Sequence, residues 1–146
     1  QLGDIFSNQT LNVVEVEAVS GAPRGELVRQ LLSALANKDA NVALAVMQTA
    51  IKENMDARTL VKILILRLRV ILLTRYAPDL AAVLGEELTE ADRELVLELS
   101  KSPHINSDTL RIVLEAYSKM AYAAVPHLPL ELALMEITSP QGEART

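Results

Sequence analysis

The residues best equipped for chemistry in this 146-residue chain are two histidines and one run of carboxylates. His104 and His127 each stand beside a proline-punctuated loop. Neither has a second histidine four residues away or a carboxylate at metal-ligand spacing, so both read as loop histidines. Glu86, Glu87, Glu90, Asp92, Glu94 and Glu98 crowd a short stretch. General acid–base work needs a carboxylate with a displaced pKa, usually held in a dry pocket. Glu94 and Glu98 instead share a helix face with Lys101, the spacing of a solvated, ion-paired surface. Glu131 and Glu136 also read as surface groups. Gly21, Gly25 and Gly85 form neither G-x-x-x-x-G-K-[ST] nor G-x-G-x-x-G, so no phosphate loop is present. No serine sits in a G-x-S-x-G setting. The chain has no cysteine, which removes disulfides and thiolate metal sites and suits a reducing cytoplasm. The expectation is no catalytic residue, no cofactor and no metal.

The basic residues are more informative. Arg58, Lys62, Arg67, Arg69 and Arg75 lie along one segment, Asp56 to Tyr76. The chain carries a net charge of −5, one Phe and no Trp, so it lacks both the cationic field and the stacking platforms of a nucleic-acid binder. Nucleic-acid contact is one reading of the basic residues, but the net charge favours a solvated stripe or pairing with the acids of another subunit. On a helical wheel at roughly 100° per residue, Leu60, Val61, Leu64, Leu68, Ile71 and Leu72 form one apolar face. Ile63, Leu66, Val70 and Leu73 form a second, roughly opposite. A helix apolar nearly all round has to be covered on more than one side. Leaving four large aliphatic side chains in water would forgo roughly 6–12 kcal/mol. Ile63, Leu66, Val70 and Leu73 are therefore the candidate partner-interface residues.

The elements around this segment follow from caps and breakers. Half of the chain is hydrophobic but only 3% is aromatic, so aliphatic side chains do the packing, as in a helical protein. Leu2 to Phe6 reads as a helix end. Asn12 with Glu15 resembles a capping box for a short helix that stops at Gly21. Ala22-Pro23 is the candidate boundary. Helices are expected from Gly25 to Ala36, from the Asp39 cap to about Glu53, and from the Asp56 cap to Tyr76. Further helices are expected from Pro78 to Leu84, from the Thr89 cap to about Ser100, from an Asn106 or Ser107 cap to about Ala124, and from Pro129 to Ile137. Residues 138–146 read as a flexible tail. Met47, Met120 and Met135 fall at core positions. The whole is an all-α bundle of about seven helices. Its longest apolar run, Ile63 to Leu73, is broken by Arg67 and Arg69 and is too short for a membrane span of about 20 residues. The opening at Gln1 reads as a fragment cut from a longer protein.

Three segments resemble one family. Leu11 to Gly21 (LNVVEVEAVSG) resembles the last helix of the lid subdomain of clamp-loader ATPases. Leu31 to Leu73, with LLSALANKDANVALAVMQTAI and MDARTLVKILILRLRVILL, resembles the start of the collar domain of the bacterial DNA polymerase III gamma/tau subunit. LPLELALMEI, Leu128 to Ile137, resembles that domain's closing helix. The resemblance implies that residues 1–22 end an ATPase lid and that 23–137 are a helical collar. It implies a scaffold that joins other copies of itself and delta- and delta-prime-type subunits in the loader that places the sliding clamp on DNA. It also implies that this chain neither hydrolyses ATP nor binds zinc, since those parts lie in upstream modules, and that it makes no direct nucleic-acid contact. Two other classes compete: an unrelated all-helical adaptor that binds partner helices, and an enzyme or ligand-binding bundle.

Overall fold

A computed structural model describes residues 22–140. Among them are seven α-helices and no strand: α1 (Ala22–Ala36), α2 (Ala40–Lys52), α3 (Ala57–Tyr76), α4 (Pro78–Leu84), α5 (Glu90–Leu99), α6 (Ser107–Met120) and α7 (Leu128–Thr138). The expected all-α bundle is the observed fold. The Leu2–Phe6 helix end, the Asn12–Glu15 cap, the helix ending at Gly21, all but Ala22 of the expected 1–22 lid segment and the tail beyond 140 lie outside the described residues.

Side-chain caps start most of the helices. The Asp39 carboxylate accepts the Val42 N–H at 3.1 Å, and Asp56 accepts the Thr59 N–H at 3.1 Å. Thr89 Oγ1 accepts the Asp92 N–H at 3.1 Å. Asn106, rather than Ser107, caps α6 in a reciprocal box: it accepts the Thr109 N–H while Thr109 Oγ1 accepts its own, both at 3.1 Å. Each bond satisfies a donor that the first helical turn leaves without a partner. Two helix ends share one device. Lys38 (φ 54°) and Asn54 (φ 67°) take the left-handed conformation after α1 and α2. The N–H groups of Asp39 and Met55 then reach back to Ala34 and Ala50, which closes a Schellman turn in each case.

Four boundaries move. The first helix begins at Ala22 instead of Gly25, with Pro23 in the first turn, where its missing N–H costs nothing. The sixth stops at Met120 instead of Ala124. Alanines 121, 123 and 124 favour helix by themselves, but the chain reverses here so that α7 can pack along α6. Pro129 is the second, not the first, residue of α7. Thr138 closes that helix instead of opening the tail: it is buried, and its hydroxyl donates to the Leu134 carbonyl at 2.7 Å.

The long helix α3 is the centre of the bundle and packs against α1, α4, α5 and α6, while α2 lies between α1 and α7. Leu31, Leu35, Met47, Leu64, Ile105 and Leu134 are fully buried in one continuous core. Ala43 and Ala50 have no exposed surface, and their small side chains let α2 approach its neighbours closely. Met47 and Met120 join this core, but Met135 does not. It is 44% exposed because Leu130, Ala133, Leu134 and Ile137 form the inner face of α7 and Met135 falls opposite them.

Candidate interaction surface

The two apolar faces of α3 meet different fates. Leu60, Val61, Leu64, Leu68 and Ile71 have no exposed surface, and Leu72 is half-buried. The second face divides. Val70 is a core residue, turned into a groove walled by Pro78 and Ala81 of α4 and Val96 of α5. Ile63 is half-buried and lines a cleft with Val28 of α1 and Ala91 of α5. Leu66 is 53% exposed, and Leu73 is half-buried. The four candidate interface residues therefore do not form one free surface. The wheel places them together, but α4 and α5 come from later sequence and cover one side of that face.

What remains open is a narrow outer strip, Arg58, Lys62, Leu66, Arg69 and Tyr76, with the half-buried Leu73 at its edge. Tyr76 is largely exposed. The strip carries three cations and no carboxylate. Arg58 is partly committed, since its guanidinium lies 4.9 Å from the centre of the Tyr117 ring and donates to the Tyr117 hydroxyl at 3.4 Å. Lys62 and Arg69 have no ion-pair or hydrogen-bond partner among the described residues. Long cationic stems interleaved with leucines make a surface that is apolar at its base and charged at its tips.

The other two basic residues of this helix belong to the fold. Arg75 donates from Nε to the Ser100 carbonyl at 2.8 Å and from Nη2 to the Ser102 carbonyl at 3.1 Å, which fastens the end of α5 to α3. Arg67 turns to Asp92, the one buried carboxylate among the described residues. Asp92 Oδ2 accepts from Arg67 at 3.3 Å, and Oδ1 accepts from Arg29 at 3.1 Å. Three helices, α1, α3 and α5, are thus tied at one point. Burial opposes the charge on Arg29, but its bonds to Asp92 and Glu26 outweigh that and hold its pKa above the ordinary value. With both oxygens taken by guanidinium donors, Asp92 is built as a clasp rather than a catalytic base. The sequence does signal it: Asp92, Val96 and Leu99 share the inward face of α5 at i, i+4, i+7 spacing, and a charge on such a face needs a partner.

The remaining chemical candidates stay apart. His104 is exposed in the turn before α6, and His127 is half-buried at the start of α7, where its ring makes no cap bond. Glu94 and Glu98 do not pair with Lys101; all three are exposed on α5 or just beyond it. The two glutamates instead edge a cleft of about 440 Å³ between α1 and α5, which Glu26, Asp39, Ala34, Val42 and Leu95 also line. Glu131 and Glu136 are half-buried rather than on the surface, and Glu136 has a partner. Among the described residues, no group of three or more His, Cys, Asp or Glu is arranged to hold a metal ion. Compared with known protein families, with curated proteins and with solved structures, the chain matches none.

Proposed function

We propose that this chain is an assembly module, the collar-type oligomerisation domain of a bacterial clamp-loader gamma/tau subunit. On this reading it joins copies of itself and delta- and delta-prime-type subunits, and the assembled loader places the sliding clamp on DNA during replication. Catalysis then belongs to the ATPase modules of the assembly, and this chain contributes contacts. A cytoplasmic location goes with the reading. Among the described residues, no helix is long and apolar enough to cross a membrane.

One observation carries the proposal. Leu66 stands mid-way along the longest helix of the bundle, 53% exposed, between the unpaired Lys62 and Arg69. The order of three sequence segments that resemble the clamp-loader family, one its lid and two its collar, supports the choice of assembly. The test is size-exclusion chromatography of the chain with purified clamp-loader subunits. The wild type is expected to co-elute with them. Leu66→Asp is expected to keep its Tm and lose co-elution. Absence of co-elution by the wild type, or its survival in Leu66→Asp, overturns the reading.

A second reading, an unrelated all-helical adaptor, has its own observation. Leu128, Leu132 and Met135 form an exposed row at i, i+4, i+7 on α7. Loss of partner binding in Leu132→Asp but not in Leu66→Asp would favour it.

A further inference from the structure

The outer strip of α3 has a complement on the same molecule. It is the cleft between α1 and α5, where Glu26, Glu94 and Glu98 stand around a wall of Ala34, Val42 and Leu95. Arg29, the cation in this cleft, is committed to Asp92 and Glu26. Glu94 and Glu98 have no partner among the described residues, and neither do Lys62 and Arg69. The two surfaces therefore do not meet within one chain. Val42 is 42% exposed beside the acids, as Leu66 is beside the bases, so each surface pairs an apolar centre with charges of one sign. In a chain of net charge −5, two unpaired cations on a leucine-bearing strip that lacks carboxylates have a use where acids surround an apolar wall.

We infer that the Lys62–Leu66–Arg69 strip of one copy docks in the Glu94–Glu98 cleft of the next. The inference rests on the assembly reading above and adds which surfaces meet. A contact between unlike surfaces is heterologous. Repeated with a rotation that closes, it makes a ring; otherwise it makes a filament. Burying Leu66 against Val42 and Leu95 supplies the apolar part, and the charges set register and orientation.

The geometry makes a charge-swap experiment decisive. Lys62→Glu/Arg69→Glu reverses the strip, and Glu94→Lys/Glu98→Lys reverses the cleft. All four positions are exposed, and circular dichroism with a Tm measurement checks that each double variant is folded. Sedimentation velocity is run on the wild type, on each variant alone and on an equimolar mixture of the two. The wild type is expected to self-associate at low salt and to weaken as salt rises. Each variant alone is expected to lose at least tenfold in association constant, since strip and cleft then carry like charge. The mixture is expected to recover, because the reversed strip fits the reversed cleft and the native strip fits the native cleft. Four outcomes overturn the inference: a monomeric wild type at low salt, salt-insensitive self-association, variants that associate like the wild type, or a mixture that fails to recover. Loss of binding to a duplex DNA oligonucleotide by the strip variant, with self-association intact, also overturns it and makes the strip a phosphate contact. The two proposals fail separately. Co-elution with clamp-loader subunits and no charge-swap rescue leaves the collar reading standing alone. Rescue without such co-elution leaves self-docking standing alone.

Discussion

Leu64 and Leu66 are the same residue type on the same helix, two positions apart. Leu64 has no exposed surface, and Leu66 is 53% exposed. The first faces the centre of the bundle, where α3 meets its neighbours. The second faces out between two cations that nothing in the described chain neutralises. The helical wheel puts them on opposite apolar faces, and by hydrophobicity alone both faces need cover. The difference teaches that hydrophobic patterning counts the faces that need cover but does not say what covers them. Val70 makes the point from the other side. It sits on the same nominal face as Leu66, yet α4 and α5 enclose it.

Substitutions along α3 and its clasp can break this contrast or sharpen it. Leu64→Ala has the largest expected effect, about 2–5 kcal/mol of lost stability, because it empties a closed core site; chemical denaturation reads it directly, and a loss below about 1 kcal/mol would dissolve the inner–outer distinction. Asp92→Ala comes next at about 2–3 kcal/mol, since it leaves Arg29 and Arg67 without their shared acceptor in a partly buried place. Its urea midpoint should fall, and restoring the loss with the paired change Arg67→Met would show that the unpaired charge, not the missing carboxylate, is responsible. Val70→Ala removes two methyl groups from a buried site, a cost of about 1.6 kcal/mol; thermal unfolding that matches the wild type would return Val70 to the free surface. Leu66→Ala should be smallest, within about 0.5 kcal/mol of the wild type for the isolated chain. An isolated chain destabilised as strongly as Leu64→Ala would mean that Leu66 is already covered, and the assembly reading would lose its main support.

The legible part of the fold is the local part. Asp39, Asp56, Thr89 and Asn106 start their helices with a bond to a backbone N–H three residues on, a contact that needs no distant partner. Pro78 opens α4, and the left-handed Asn54 closes α2, for equally local reasons. The end of α6 was not legible, because the stop at Met120 answers to the packing of α7 and not to the alanines that follow it. The candidate surface was half legible. Leu66 stands on the outer strip and Leu73 at its edge, as the wheel places them, whereas Val70 and Ile63 turn toward elements whose position no wheel contains. The acids of α5 illustrate the same limit. Glu94 and Glu98 share a face as their spacing requires, but their neighbours across the cleft, Glu26 and Asp39, come from α1 and its exit loop, more than fifty residues earlier in the chain.

The sequence by itself determined an all-α chain, the place of nearly every helix and the presence of one helix too apolar to stand uncovered. Those properties depend on contacts within a few residues, where caps, breakers and a 3.6-residue period are sufficient. Tertiary structure alone decided which side of that helix the chain covers for itself. It turned Val70 inward, spent Arg67 and Arg75 on α5, and left Lys62, Leu66 and Arg69 in the open. Coverage is a relation between segments far apart in sequence, settled by how whole helices pack, so no local pattern can state it.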